Sequence, residues 1–535
     1  EDMRMKKRTA ARSMAALMGA AMVLTACGGG NTTAPTTGAS SGGETQTASE
    51  SAESGKITKT DIVVGQASDI VTLDPAGQQD TTSGVLMKHA YSTLLDVDNE
   101  GKVVPDLAES YEMKSDTEYV FKLREDACFW DGTPVTAQDV KFSLDRAKGM
   151  PKTKSNTSKI EEVTVNGDHE VTIKLTEPYA AFKTIVTQHN LSILSEKAVT
   201  EAGDSYGDVD NLLGSGPFKV TEWVPNDHYT LVRNDNYWGE MPIATSITCR
   251  VIPEGSARTI ALEAGEIDVV WSVDPTDCAN VESNPDVKLL SQPSTGIDYV
   301  GMNTQKEKFS DKRVRQAINY ALDKQAFVDT IIEGRGLVAN SYINAAIPGW
   351  TDEVEAYPYD PEKAKELLAE AGYPDGFECS IFVNGDLRTR SAQILQAQLA
   401  DVGIKVDIST YEWGALLDTL NAGEHEMFLL GWSNTSFDPD GSTYQLFYSG
   451  NHGATGNRAF FSNDKVDELI LSAQRESEES KRMELYKELQ FVLHEESPWC
   501  PLYYKENNVG VRADLKGFTL HAGAQHYLGN CHYEE

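Results

Sequence analysis

From about residue 57 onward, short apolar runs alternate with amphipathic stretches of helical period. Cys379–Val383 reads as a strand, and Ser391–Val402 places Ile394, Leu395 and Leu399 on one face of a helix that Gly403 caps. Ile404–Ile408 then alternates as a second strand, which completes a β-α-β signal. Just upstream, Asp360 supplies an N-cap, Pro361 a first-turn proline, Leu367 and Leu368 a buried face, and Gly372 a stop. Val314, Ala317, Ile318, Ala321 and Leu322 form another helical stripe, with Ser310 as its cap. Ser256–Ala264 reads as a helix closed by Gly265 and followed by the strand Ile267–Val270. The pattern predicts an α/β chain with more than one sheet, in which these stripes are core.

The N-terminal segment has a different pattern. Lys6, Lys7, Arg8 and Arg12 precede an apolar run, Met14–Leu24, that is far shorter than the roughly 20 residues needed to cross a bilayer. Small residues follow at Thr25-Ala26-Cys27, as in a secretory leader. This segment resembles the lipobox of bacterial lipoproteins, which implies cleavage of residues 1–26 as a signal peptide and lipidation of Cys27. Residues 28–56 contain no aromatic and no large aliphatic side chain, so they cannot build a core. A coil of that composition reaches about 30 Å and would serve as a flexible linker, 27–56, between the lipid and the folded body.

The chain carries a formal charge of −35, and its first 26 residues hold five basic and two acidic side chains, so the remainder stands at −38. Such a field argues against nucleic acid as a partner. Cys128, Cys249, Cys278, Cys379, Cys500 and Cys531 have long, irregular spacings that leave both disulfides and buried thiols open. HExxH and phosphate-loop motifs are absent, and no enzyme, cofactor or metal is expected. His521, His526, Cys531 and His532 match no ligand spacing and read as incidental.

Several long stretches carry a family resemblance. Leu107–Met113 and Tyr119–Val140 are similar to the signature region of family 5 of the bacterial extracellular solute-binding proteins, the peptide/nickel class that serves ABC importers. Gly214–Val220, Arg233–Trp238, Ala261–Asp268, Asn303-Thr304 with Val314–Asp323, and Tyr411–Trp413 follow in the family's order. The resemblance implies a two-lobed, hinged periplasmic-binding-protein-like fold of type II with an additional α/β domain inserted in lobe I. Lobe I would comprise 57–88, 214–294 and 503–535, the inserted domain 89–213, and lobe II 295–502. It further implies a monomer, anchored on the outer face of the cell membrane, that captures di- or oligopeptides by lobe closure and passes them to a permease with ATPase subunits. The alternatives are a nickel-chelate, sugar or other polar metabolite in the same transport role or, outside transport, a peptide-signal receptor or extracellular hydrolase.

Open α/β sheets bind ligands beyond the carboxyl ends of their strands, which places the cleft here at three loops. Asp61–Val64 leads into Ser68, Ile404–Ser409 into Tyr411 and Trp413, and Met427–Leu430 into Gly431–Asp438. Trp432 is expected as an aromatic wall, Gly431 as a point of close approach, and Ser68, Asn434 and Thr435 as neutral hydrogen-bond partners. Tyr411 is a further candidate, while Trp413 reads as core. Peptide binders of the family commonly carry an aspartate three residues after this tryptophan, where it holds the ligand ammonium; here that position is Thr435. Either Asp438 or Asp440 is the expected substitute, or the ligand lacks an α-ammonium group. Arg388, with Arg390 beside it, is the candidate for a ligand carboxylate.

Overall fold

The structure is a computed structural model that describes residues 56–535; the leader, Cys27 and the linker up to residue 55 lie outside the described residues. Its organising element is the strand Trp499–Arg512. The first half of this strand pairs antiparallel with Gly296–Met302 and Gly336–Val338, and its second half with Val287–Pro293 and Val269–Val270. Beyond Val269–Val270 the sheet runs through Asp61–Gln66, Ser246–Val251, His228–Arg233 and Phe218–Val224. In the other direction it runs through Gly296–Met302, Met427–Ser433, Phe377–Val383 and Ile404–Thr410. Each half is one lobe.

The chain crosses between the lobes twice, at Pro293–Gly296 and within the shared strand. The two crossings are tied together where the Ser294 hydroxyl donates to the Lys505 carbonyl at 2.7 Å. A separate antiparallel sheet, in the order Ala108–Ser115, Glu118–Leu123, Glu170–Leu175, Ile160–Gly167, packs under the helix Ala137–Lys148. Phe121, Val140, Leu144 and Ile173 make its own core. The molecule is therefore two-lobed α/β with an additional α/β unit.

Helices cover both faces of the central strands, so those strands are continuous apolar runs without alternation. Gly296–Met302 is buried at every position. One face rests on Ile318, Leu395 and Leu399, and the other on Leu416, Phe447 and Trp499. Phe377–Val383 and Ile404–Thr410 pair in parallel, as the β-α-β pattern predicts. Asp360 caps the helix Pro361–Glu370 by accepting from the Lys363 amide at 2.9 Å. Three expectations are corrected. The helix Lys312–Ala321 is capped by Asp311, because Ser310 already closes the preceding turn Glu307–Ser310. The strand after Gly265 is only Val269–Val270. The helix expected from Ser391 begins at Gly385, since its first turns carry polar residues that face the cleft and hide its period.

All six cysteines among the described residues are unpaired, five of them buried. No helix among those residues is long and apolar enough to cross a membrane.

Gly301 lies opposite Phe428 in the ladder, and a β-carbon placed there would sit 2.1 Å from the ring. Gly301→Ala is expected to cost about 1–3 kcal/mol through overpacking and to lower Tm. An unchanged melting curve would mean that the ring moves aside freely.

Candidate functional site

Where the lobes face each other, a cavity of about 370 Å³ opens, at the lower end of the range for small-molecule sites. Its walls are the loops that leave the carboxyl ends of four strands. Ser68 follows Asp61–Gln66, Arg388 follows Phe377–Val383, Trp413 follows Ile404–Thr410, and Trp432 lies at the end of Met427–Ser433. Gln188 and His189 enter from the additional domain, while Lys505 and Asn507 come from the shared strand. Every part of the molecule thus contributes to one wall.

The lining polar groups are unusual in lacking partners. Buried polar atoms are nearly always hydrogen-bonded, yet Gln79 Oε1, Asp80 Oδ2, Asn190 Oδ1, Arg388 Nε, Trp413 Nε1 and Gln525 Oε1 have none, and all belong to cavity residues. Arg458, only 5 % exposed, also lines the cavity. Its one side-chain hydrogen bond among the described residues runs from Nε to Asn421 Oδ1, 3.0 Å, and no carboxylate among those residues pairs with it. Lys505 is neutralised by the buried Asp298 at 2.8 Å, and Arg388 stands 3.9 Å from the same carboxylate. Burial pulls both cavity imidazoles, His189 and His526, down to about 3, so they are neutral at physiological pH. The positive charge available to a ligand therefore sits on the arginines.

Of the residues expected from the sequence, Ser68, Arg388, Trp432 and Thr435 line the cavity. Trp432 is held by its indole N–H, which donates to the Gly441 carbonyl at 3.1 Å. The Thr435 hydroxyl donates across the cleft to Gln188 Oε1 at 2.9 Å. Gly431 borders the cavity, but a β-carbon there would lie 3.1 Å from the Asp298 carboxylate, so its small size makes room for that side chain.

The other expected residues are placed elsewhere. Tyr411 packs against Phe382, ring centroids 4.9 Å apart, and does not line the cavity; Trp413, read as core, does. Asn434 is buried and organises its own loop, donating to the Asp438 carbonyl and to the Ser442 hydroxyl at 2.7 Å each. Asp438 is gripped by both terminal nitrogens of Arg482, at 2.9 and 2.5 Å, and cannot also reach a ligand ammonium. Asp440 accepts from Tyr179 at 2.5 Å and from Gln474 at 2.9 Å. Asp438 is thus tied up within lobe II, while Asp440 joins lobe II to Tyr179 of the additional domain.

Asp80 and Arg458 were not anticipated. Asp80 reads as the N-cap of the helix Thr81–Ala90, and its Oδ1 does accept from the Ser83 amide at 2.9 Å. The sequence carries no mark of what its second oxygen does. For Arg458 the available signal was a charge set immediately before the apolar run Ala459–Phe461.

Burial, reinforced by neighbouring Asp438, pushes the Asp440 carboxyl up to about 6 from an ordinary 3.8. A raised value means that the folded protein holds the proton more tightly than the unfolded chain. The resulting stabilisation is complete below about pH 3.8 and is lost as pH rises through about 6. Asp440→Asn, always neutral, should therefore gain Tm relative to the parent between pH 4 and pH 7, whatever its constant offset. A pH-independent difference would assign the proton elsewhere.

Comparison with known proteins agrees with this geometry. Residues 102–454 match the model for bacterial extracellular solute-binding proteins, family 5. The glutathione-binding protein of Escherichia coli O157:H7 is 32 % identical over 479 residues, covering 86 % of this chain and 92 % of that one. Among solved structures, the periplasmic binding protein DppA of Helicobacter pylori, in complex with the peptide STSA, superposes with a TM-score of 0.85 at 28 % identity, covering 90 % of this chain and 99 % of that one. The oligopeptide-binding protein AppA of Bacillus subtilis, in complex with a nonapeptide, gives 0.82 at 26 % identity, covering 90 % and 100 %. These relatives are binding proteins and not enzymes. With most of its length accounted for by the family model and by a relative at this level of identity, the chain belongs to family 5 of the bacterial extracellular solute-binding proteins.

Proposed function

We propose that this protein is the substrate-binding lipoprotein of an ABC importer, tethered outside the membrane through Cys27, and that it captures short peptides or peptide-like ligands between its lobes for a permease. The observation that carries this reading is the set of unpartnered polar atoms around the interlobe cavity, which a polar ligand would complete. The cavity suits a ligand of two or three residues better than a long peptide. The glutathione- and peptide-binding relatives support the same ligand class.

Contacts across the cleft support capture by closure. Arg390, in lobe II, pairs with Asp274 of lobe I at 2.6 Å, and Arg335 pairs with Glu282 at 2.7 Å. Helix 275–283 of lobe I supplies Glu282 and is capped by Asp274, so one element receives both cations. Both pairs join one lobe to the other in this conformation. Each is partly solvated and contributes at most about 1 kcal/mol.

Calorimetry against di- and tripeptide pools tests the reading, and Trp432→Ala should weaken binding about tenfold or more by removing an aromatic wall. Absence of any peptide binding would reject the ligand class. Arg390→Gln should weaken binding two- to fivefold, mainly through faster release, as expected for about 1 kcal/mol lost from the closed form. Unaltered release would show that closure does not use this pair. Metabolic labelling with a fatty acid should mark the parent and not Cys27→Ala.

A further inference from the structure

The cavity residues Asp80 and Arg458 have opposite charges, come from opposite lobes, and are not paired with each other. Asp80 sits on the lobe I helix Thr81–Ala90 and Arg458 on a lobe II loop. Their segments are joined nearby, where Gln79 Nε2 donates to the Thr455 carbonyl at 3.4 Å. Each residue lies within the other's field or that of a common neighbour: Asp80 acts on Arg458, and Lys152 acts on both. The two leave complementary valences open. Asp80 Oδ2 and the indole N–H of Trp413 are near enough to act on each other but not within hydrogen-bond limits, and the terminal nitrogens of Arg458 have no partner among the described residues.

We propose that this cluster is a receptor for an α-amino-acid head, a single carbon bearing both an ammonium and a carboxylate, with the ammonium on Asp80 and the carboxylate on Arg458. The inference deepens the transport reading above and rests on it. A simple anion such as phosphate would satisfy Arg458 while meeting repulsion from Asp80. The N-terminus of an ordinary α-linked peptide would satisfy Asp80 and leave a buried guanidinium with no counter-charge, which is strongly unfavourable. A ligand that keeps a free α-amino-acid head, such as a γ-glutamyl peptide, satisfies both. Because one small group would bridge Asp80 and Arg458, recognition of the head and closure of the lobes become the same event.

Four tripeptides separate the possibilities by calorimetry on the intact protein: γ-glutamylcysteinylglycine, its α-linked isomer, its N-acetyl derivative, and the γ-aminobutyryl analogue that lacks only the α-carboxylate. The γ-linked tripeptide should bind about ten- to hundredfold tighter than each of the other three, the scale of one hydrogen-bonded charge. Arg458→Gln should erase the preference over the γ-aminobutyryl analogue, and Asp80→Asn the preference over the N-acetyl derivative. The comparison among ligands on the unmodified protein needs no variant to fold. Equal affinity for the α- and γ-linked isomers would overturn the head-group receptor while leaving the peptide-binding reading standing. Failure of all four to bind would overturn the head-group receptor, and the di- and tripeptide pools would then decide the peptide-binding reading on their own.

Discussion

The antiparallel pairing of Trp499–Arg512 with strands of both lobes is the constraint on which the rest of the molecule depends. One strand runs unbroken through the ladders of both lobes, so the point where its partners change, near Ser294 and Lys505, is where bending breaks the fewest backbone hydrogen bonds. The same strand delivers Lys505 and Asn507 to the cavity. Hinge and site thus share a backbone, and a ligand held against these residues is held against the axis of closure.

Around that axis the buried charges fall into two kinds. Asp438 with Arg482, and Asp440 with Tyr179 and Gln474, are matched groups whose hydrogen-bonding capacity is used within the protein. Such pairs add little net stability against an apolar substitute but are costly to break singly, so Asp438 with Arg482 fixes the loop within lobe II and Asp440 with Tyr179 favours one docking geometry between lobe II and the additional domain. Asp80, half-buried with one carboxylate oxygen shut off from solvent, and the buried Arg458 are the second kind, incomplete within the protein. A protein tolerates incompleteness of that sort where something from outside completes it.

Much of the architecture is legible in the sequence because the central strands and the helices over them announce themselves by period. The carboxyl-end rule for α/β sheets is enough to bring Ser68, Thr435 and Trp432 to the cavity. It cannot tell which side of a loop each side chain takes. Asn434, Asp438 and Asp440 share the loop and helix start with Thr435 but turn inward, because the turn uses Asn434 for its own hydrogen bonds and Arg482 arrives from a helix more than 40 residues away. Tyr411 and Trp413 exchange their expected roles for the same reason. Arg458 and Asp80 are illegible because their meaning lies in partners they lack, a property that exists only once the surrounding atoms are in place.

Gly431 carries one further consequence. Its missing side chain admits the Asp298 carboxylate, which in turn neutralises Lys505 on the shared strand. A larger residue at position 431 would not merely trim the ligand space; it would displace the counter-ion of a hinge lysine. The space beside the cavity and the charge balance of the shared strand are therefore set by one and the same position.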